Sequence, residues 1–267
     1  SQKIAFDFEN ILTYVQELSP VTAADSTKNK TDNKEDKKII PKSAKKEAVL
    51  IVHKLNTADT MQFWKADAYA ISNNERFVVF NKKTEEKDSS GVDGLYILDI
   101  NNKKVKKISH GKGVYKNFTF DDQSNQLVFL ADKSPSKNLI KDFKLYYYNP
   151  TLDTAKIVAD KHSTHIPHDW YVSGDGNLSF NASGQKVFFG LAPIPAVKDT
   201  ALVDFEHAKV DIWHWKDETL MTQQLVNLKR DQTRSFLTAY DIKSNTVVPL
   251  LNEKFNRYNF SDSGNEE

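Results

Sequence analysis

The feature that most limits what this chain can fold into is a fixed spacing of apolar residues around polar turns. In Leu178–Leu191, LSFNASGQKVFFGL, two short apolar runs flank Asn181-Ala182-Ser183-Gly184, and Phe180 and Phe189 stand nine residues apart. The same interval joins Ile71 to Phe80 (ISNNERFVVF) and Phe120 to Phe129 (FDDQSNQLVF), and a fourth copy opens at Phe260 (FSDSGNEE). Asn, Asp and Gly accept the positive φ that tight turns need, so each copy reads as a β-hairpin. A second spacing interleaves with the first. Apolar runs from Leu50 (LIVHKL), Leu95 (LYILDI), Leu145 (LYYYNP) and Leu237 (LTAYDI) each cross a turn and meet another run ten residues on, at Thr60, Val105, Ala155 and Val247. Two hairpins in fixed order make a unit of four antiparallel strands, here a, b, c and d. Such units recurring at about 40–50 residues are the mark of β-propeller blades. A β-sandwich would have to produce both spacings by accident. The expectation is therefore an all-β chain: a β-propeller fragment of about four blades, each of four antiparallel strands, with a polar and a short helical insertion.

The pattern divides the chain. Residues 1–66 form an incomplete first blade with a polar insertion at 19–47. Residues 67–110 form the second blade, 111–175 the third with a connecting loop, 176–253 the fourth with an insertion at 192–234, and 254–267 the start of another. In the first blade Lys3–Phe8 reads as strand b, Val49–Leu55 as c and Thr60–Trp64 as d, with strand a absent. Asn10–Leu18 reads as a helix, because Ile11, Leu12, Tyr14, Val15 and Leu18 fit one helical face. Strand a of the fourth blade is placed at Leu178, so the segment from His162 to Trp170 falls in a loop. Val210–Asp217 (VDIWHWKD) alternates as a strand would, and Leu220, Gln224, Leu225 and Leu228 predict a helix before strand c. In Tyr146-Tyr147-Tyr148, alternation puts Tyr147 on the face opposite its neighbours, where two sheet-packing layers account for all three rings.

Composition excludes several function classes. The 37 basic and 36 acidic side chains leave a net charge of +1, which gives neither a nucleic-acid footprint nor a polybasic membrane surface. The absence of cysteine removes disulfide frameworks, thiolate metal sites and cysteine nucleophiles. It is compatible with cytoplasm or periplasm. No run of 18 apolar residues is present to span a membrane as a helix.

Two groups of residues stand out as candidate sites. His162, His165 and His168, beside Asp169, could ligate zinc or nickel as neutral imidazoles, but Pro167 prevents the regular helix that would align them; they are a weak metal candidate, and no metal or other cofactor is expected. Trp213 and Trp215 would share one face of the Val210–Asp217 strand, either as a contact for substrate or partner or as packing beneath the insertion. No catalytic residue can be named. Gly91, Gly184 and Gly264 each follow a serine but lack the second glycine of a nucleophile elbow, and neither Gly111-Lys112-Gly113 nor Gly174-Asp175-Gly176 completes a phosphate loop.

The runs GNLSFNASGQKVFFGLAPIP, LVDFEHAKVDIWHWKDETL and QLVNLKRDQTRSFLTAYDI carry a family likeness. They resemble the β-propeller region of serine peptidases of the prolyl oligopeptidase family, particularly those of Bacteroidetes-type bacteria, over most of the chain from about Ile40 onward. DIWHWKD and Arg234-Ser235-Phe236-Leu237 are the specific part; turns such as FSDSG are shared with TolB-like and WD-type propellers. The resemblance implies a propeller that caps a catalytic α/β-hydrolase domain bearing a Ser, Asp, His triad and admits only peptides or unfolded segments. It also implies a periplasmic or cell-envelope location. The competing reading is a non-catalytic TolB-like propeller that binds a protein or cell-envelope partner. An arc of blades exposes strand edges that invite self-association, and Tyr258–Ser261 could instead close the ring on the N-terminal strand.

From Ser19 to Glu47 there is no aromatic residue, while Lys28, Lys30, Lys34, Lys37, Lys38, Lys42, Lys45 and Lys46 alternate with acids. A run too polar to pack is read as a solvated excursion. Limited trypsin digestion is expected to cut first between Lys28 and Lys46; protection of that run while the blades are nicked would show that it docks on something.

Overall fold

The computed structural model describes residues 11–18, 47–57, 59–84, 91–135, 138, 140–195, 214–217, 219–255 and 257–259. The hairpin spacings become antiparallel sheets whose strands neighbour one another in chain order. The first sheet holds β1 (Ile11–Leu18), β2 (Glu47–Lys54) and β3 (Asp59–Trp64). The second holds β4 (Ala66–Ile71), β5 (Phe77–Lys82), β6 (Gly94–Asp99) and β7 (Lys104–His110). The third holds β8 (Val114–Phe120), β9 (Leu127–Asp132), β10 (Lys144–Tyr148) and β11 (Lys156–Ala159). The fourth holds β12 (Trp170–Val172) and β13 (Ser179–Phe180), both paired with β14 (Lys186–Pro193), followed by β15 (Phe236–Asp241) and β16 (Thr246–Pro249). Three copies of the first repeat fall in equivalent register: Ile71 pairs with Val78, Phe120 with Leu127 and Phe180 with Val187.

The a to b turns show why the spacing is constant. Ser72, Asp121 and Asn181 occupy one position; the backbone N–H of each donates to the carbonyl of Phe77, Gln126 or Lys186. Their side-chain oxygens accept from the N–H of the same three residues, at 2.9, 2.6 and 2.8 Å. Three residues on, Glu75, Ser124 and Gly184 adopt φ of 55°, 59° and 69°, so two of the three left-handed positions are held without glycine. The turns also brace one another. Ser124 Oγ accepts from Asn74 N–H at 3.1 Å, and Gln126 Nε2 donates to Gly184 O at 3.0 Å.

Alternation along each strand feeds two cores at once. Leu50, Val52, Phe80 and Leu98 close the space between the first and second sheets. Val79, Leu95, Phe129, Tyr146 and Tyr148 fill the next, and Val128, Leu145, Tyr147, Phe189 and Tyr240 the last. Tyr147 therefore points away from Tyr146 and Tyr148, as alternation requires. Strands β4 and β8 touch, as do β8 and β13, which places strand a of the second, third and fourth sheets nearest the common axis. Sheets stacked face to face in chain order with strand a innermost form the arc of a β-propeller.

Three sequence expectations are corrected. Asn10–Leu18 is not helical: Ile11–Leu18 is β1, paired with β2 from Ile11↔Lys54 to Leu18↔Glu47. Its β-branched Ile11 and Thr13 face the interior at period two, and pairing with β2 outweighs a helical pattern that five apolar residues satisfy equally well. The strand b proposed at Lys3–Phe8 lies outside the described residues, as do the 19–46 insertion and the closure at Phe260 and Ser261; the role of strand b falls to β1. Strand a of the fourth sheet begins not at Leu178 but at Trp170, and is split into β12 and β13 around 173–178. In β4 and β8 the register also slips, between Ala66 and Tyr69 and between Lys116 and Thr119, so the inner strand is irregular in each of these sheets.

The c to d turn of the second sheet shows how charge is used. Arg76 Nη2 and Nε donate to Asp99 Oδ2 at 2.9 and 3.3 Å, and Asn102 Nδ2 donates at 2.8 Å. Burial pushes the Asp99 carboxyl upward, but Arg76 and Asn102 together hold it below the usual carboxylate range. A depressed folded-state pKa contributes stability that is complete above the unfolded value of about 3.9 and is lost as pH falls through the folded one. Asp99→Asn is expected to cost about 0.5–1 kcal/mol at neutral pH, in keeping with the half-exposed Arg76. That cost should disappear in urea melts at strongly acidic pH; a cost unchanged by acid would show that the charge is not what matters.

Candidate functional site

Topology separates the two ends of the sheets. Every a to b and c to d connection is a tight turn at one end. The long connections, b to c, all leave from the other: 19–46, 83–93, 133–143 and 194–235. The d to a connection 160–169, with the three histidines, leaves from that end too, between β11 and β12. The long connections thus share one end of the sheets and the short turns the other.

On the fourth sheet this end holds a groove of about 640 Å³, lined among others by Tyr171, Asp175, Pro193, Asp231, Arg234 and Phe236. Its floor is set by close backbone approach. Ser173 N–H donates to Gly190 O at 2.9 Å, and Ile194 N–H to Asp169 O at 2.7 Å. A Cβ at Gly190 would lie 2.8 Å from Gly176 Cα and 2.7 Å from Ser235 Cβ. A Cβ at Gly174 would lie 2.3 Å from the Phe143 ring, whose own backbone bridges to Val172. The glycines of Gly174-Asp175-Gly176 thus serve close packing. Lys116, from β8, donates to Gly174 O at 3.0 Å and reaches Asp175 at 3.5 Å, pinning this segment to the third sheet.

Tyr171 and Phe236 make one wall aromatic. Trp170 supports Phe236 with ring centroids 4.9 Å apart, and the Arg234 guanidinium lies 5.3 Å over the Phe236 ring. The other charged groups of the lining are carboxylates, Asp175, Asp231 and Glu253, so the groove is acidic overall. Burial, aided by Asp175, pushes the Tyr171 hydroxyl up, which keeps it protonated as a donor at physiological pH. Asp231 stands near the end of α1 (Met221–Gln232), which fulfils the helical expectation for Glu218–Arg234. Among the described residues of α1 none is buried, and Leu225, Val226 and Leu228 are exposed. Among the described residues no histidine lines the groove.

The sites expected from sequence lie elsewhere. His162, His165 and His168 are exposed on the 160–169 connection, His165 at φ 72°, and His168 Nδ1 is 3.1 Å from Asp169 Oδ1. Among the described residues no three His, Asp or Glu side chains gather as a metal ion would require. Trp213 lies outside the described residues. Trp215 is not on a strand: residues 214–217 form a turn in which Asp217 N–H donates to His214 O and His214 N–H to Asp217 Oδ2. Asp217 caps this turn, which breaks the alternation of VDIWHWKD. Trp215 is 76% exposed, stacked on His214 and covered by Lys216, and does not line the groove. Sequence reasoning missed Tyr171, Asp175 and Arg234 as groove residues, although Arg234-Ser235-Phe236-Leu237 stood out in it.

A scan of protein-family models finds no match, and a search of curated proteins finds none. Among solved structures the chain is similar to an acylaminoacyl peptidase, solved with a Z-Gly-Gly-Phe-chloromethyl ketone, at 10% identity and TM-score 0.42 over 71% of this chain and 28% of that one. It is similar to TolB from Acinetobacter baumannii at 12% and 0.42, over 94% of this chain and 43% of that one. It is also similar to the β-propeller domain of the trilobed protease from Pyrococcus furiosus at 13% and 0.34, over 94% and 72%. The chain thus spans less than half the length of the first two. At such identities and TM-scores these likenesses carry no argument about activity.

Gly190→Ala is expected to cost about 2–3 kcal/mol, because the new methyl meets backbone at Gly176 and cannot be relieved by a rotamer change. Thermal melts would check it; a variant as stable as the parent would mean that the two backbones separate freely.

Proposed function

We propose that this chain is the propeller domain of a prolyl-oligopeptidase-like serine peptidase, which docks extended peptide at its loop end and gates access to a catalytic α/β-hydrolase domain elsewhere in the protein. The observation that carries this reading is the gathering of every long connection, and of the acidic groove with its aromatic wall, at one end of the sheets. A groove with Tyr171 as donor, carboxylates as acceptors and Phe236 under Arg234 offers main-chain and side-chain partners to an unfolded segment. The sequence resemblance supplies the peptidase and its periplasmic or cell-envelope setting. A TolB-like propeller that holds a folded protein or cell-envelope partner is the second reading, favoured by the exposed apolar residues of α1.

Acyl transfer needs a nucleophile, a base and an oxyanion hole together. The purified chain is therefore expected to show no labelling by a fluorophosphonate. Stoichiometric labelling abolished by one serine substitution would overturn that. Docking is tested by photo-crosslinking an unstructured peptide to the chain. Cross-links should map to 170–195 and 231–255; cross-links confined to the tight turns, or none at all, would reject the reading. A Gly-x-Ser-x-Gly element farther along the same reading frame would separate the peptidase from the TolB-like alternative.

A further inference from the structure

The opposite end of the sheets holds a second cavity, away from the groove. Between the second and third sheets a crevice of about 210 Å³ opens among the tight turns. Phe77, Ile97, Phe120, Leu127, Tyr148 and Pro150 make its walls. An apolar cavity of about 150 Å³ holds a benzene molecule, so this one has room for a single ring or branched alkyl group with a short arm. Its hydrogen-bonding lining residues are largely committed to protein partners. Ser124 Oγ accepts from Asn74 N–H, Gln126 bridges Tyr147 Oη and Gly184 O, and Asp99 is held by Arg76.

The cations of the lining differ from these. Lys106 Nζ donates to Leu152 O at 2.9 Å, lies 3.3 Å from Asp153 and stands 5.8 Å over the Tyr148 ring. Lys104, on the same face of β7 two residues away, is exposed and has no partner among the described residues. With Asp99 neutralised by Arg76 and Asp153 by Lys106, the uncompensated charge at the crevice is the Lys104 ammonium. An apolar slot with one spare cation at its edge is complementary to an anion joined to one apolar group.

We propose that this crevice binds a carboxylate that carries one apolar side chain, the ring or alkyl group seated between Ile97, Phe120 and Tyr148 and the carboxylate on Lys104. The same chemistry belongs to a free aryl or alkyl carboxylic acid and to the C-terminal residue of a peptide. Isothermal titration of the chain at low salt tests it with 3-phenylpropionate, 3-phenylpropanol and phenethylammonium. The acid should bind with a Kd of about 1 mM or tighter, the alcohol at least about fivefold more weakly, and the amine not measurably.

Lys104→Glu, at an exposed position, should bring the acid down to or below the affinity of the alcohol without changing the melting temperature. Ile97→Trp, which fills the slot, should remove both. Acetyl-Gly-Phe binding more tightly than 3-phenylpropionate would assign the site to peptide C-termini, and weaker binding would assign it to free acids. Absence of saturable heat with the acid, equal binding of acid, alcohol and amine, or an acid affinity untouched by Lys104→Glu would each overturn the proposal. The Lys104 variant keeps the test decisive if the Ile97 variant fails to fold.

Discussion

Everything in this structure depends on the need of each central strand to hide two faces. A strand such as β9, buried at all six of its residues, satisfies that need only between two other sheets. Val128 and Leu130 serve one neighbour, Phe129 and Ala131 the other. Each buried Phe or Leu contributes about 1.5–3 kcal/mol against exposure, and none of that gain is available to a sheet standing alone. Stacking is thus the condition for the sheets to exist, and the turns follow from it. Strands of two to eight residues must reverse sharply to stay between their neighbours, and Ser72, Asp121 and Asn181 make that reversal by satisfying the backbone from the side chain.

This explains how much of the fold could be read in the sequence. The two spacings are spacings between positions in register across a hairpin, so they survive where local identity does not. The left-handed φ of Glu75 and Ser124 shows that the turn imposes conformation on residues that would not announce it, and only Gly184 advertises the position. Where the reading failed, local pattern and tertiary partner disagreed. Ile11, Leu12, Tyr14, Val15 and Leu18 satisfy a helical stripe, but pairing along the whole of β2 decides the outcome. At Trp215 the alternation of VDIWHWKD is interrupted by Asp217, whose carboxylate holds the His214 backbone in a turn.

The groove was less legible than the fold for a related reason. Its residues come from strand a (Tyr171), the break between β12 and β13 (Asp175), the end of strand b (Pro193) and the segment before strand c (Arg234), and no interval in sequence links them. What could be read was the partition of lengths, since every b to c connection is long while the a to b and c to d turns are short. The histidine and tryptophan clusters drew attention because they are compact in sequence. The structure assembles its groove from residues dispersed along the chain and brought together by Gly174, Gly176 and Gly190.

The hydrogen bonds that run from turn to turn, Asn74 to Ser124 and Gln126 to Gly184, have a mechanical meaning. They join the second sheet to the third and the third to the fourth, as the shared cores do, so this part of the arc behaves as a row of joints in which load passes from neighbour to neighbour. A strain introduced at the third sheet reaches both the second and the fourth, whereas one at the fourth reaches the second only after crossing the third. Bonds of this kind from Asn74 and Gln126 at the turns, and from Lys116 beside the groove, make the third sheet answer to its neighbours at both ends.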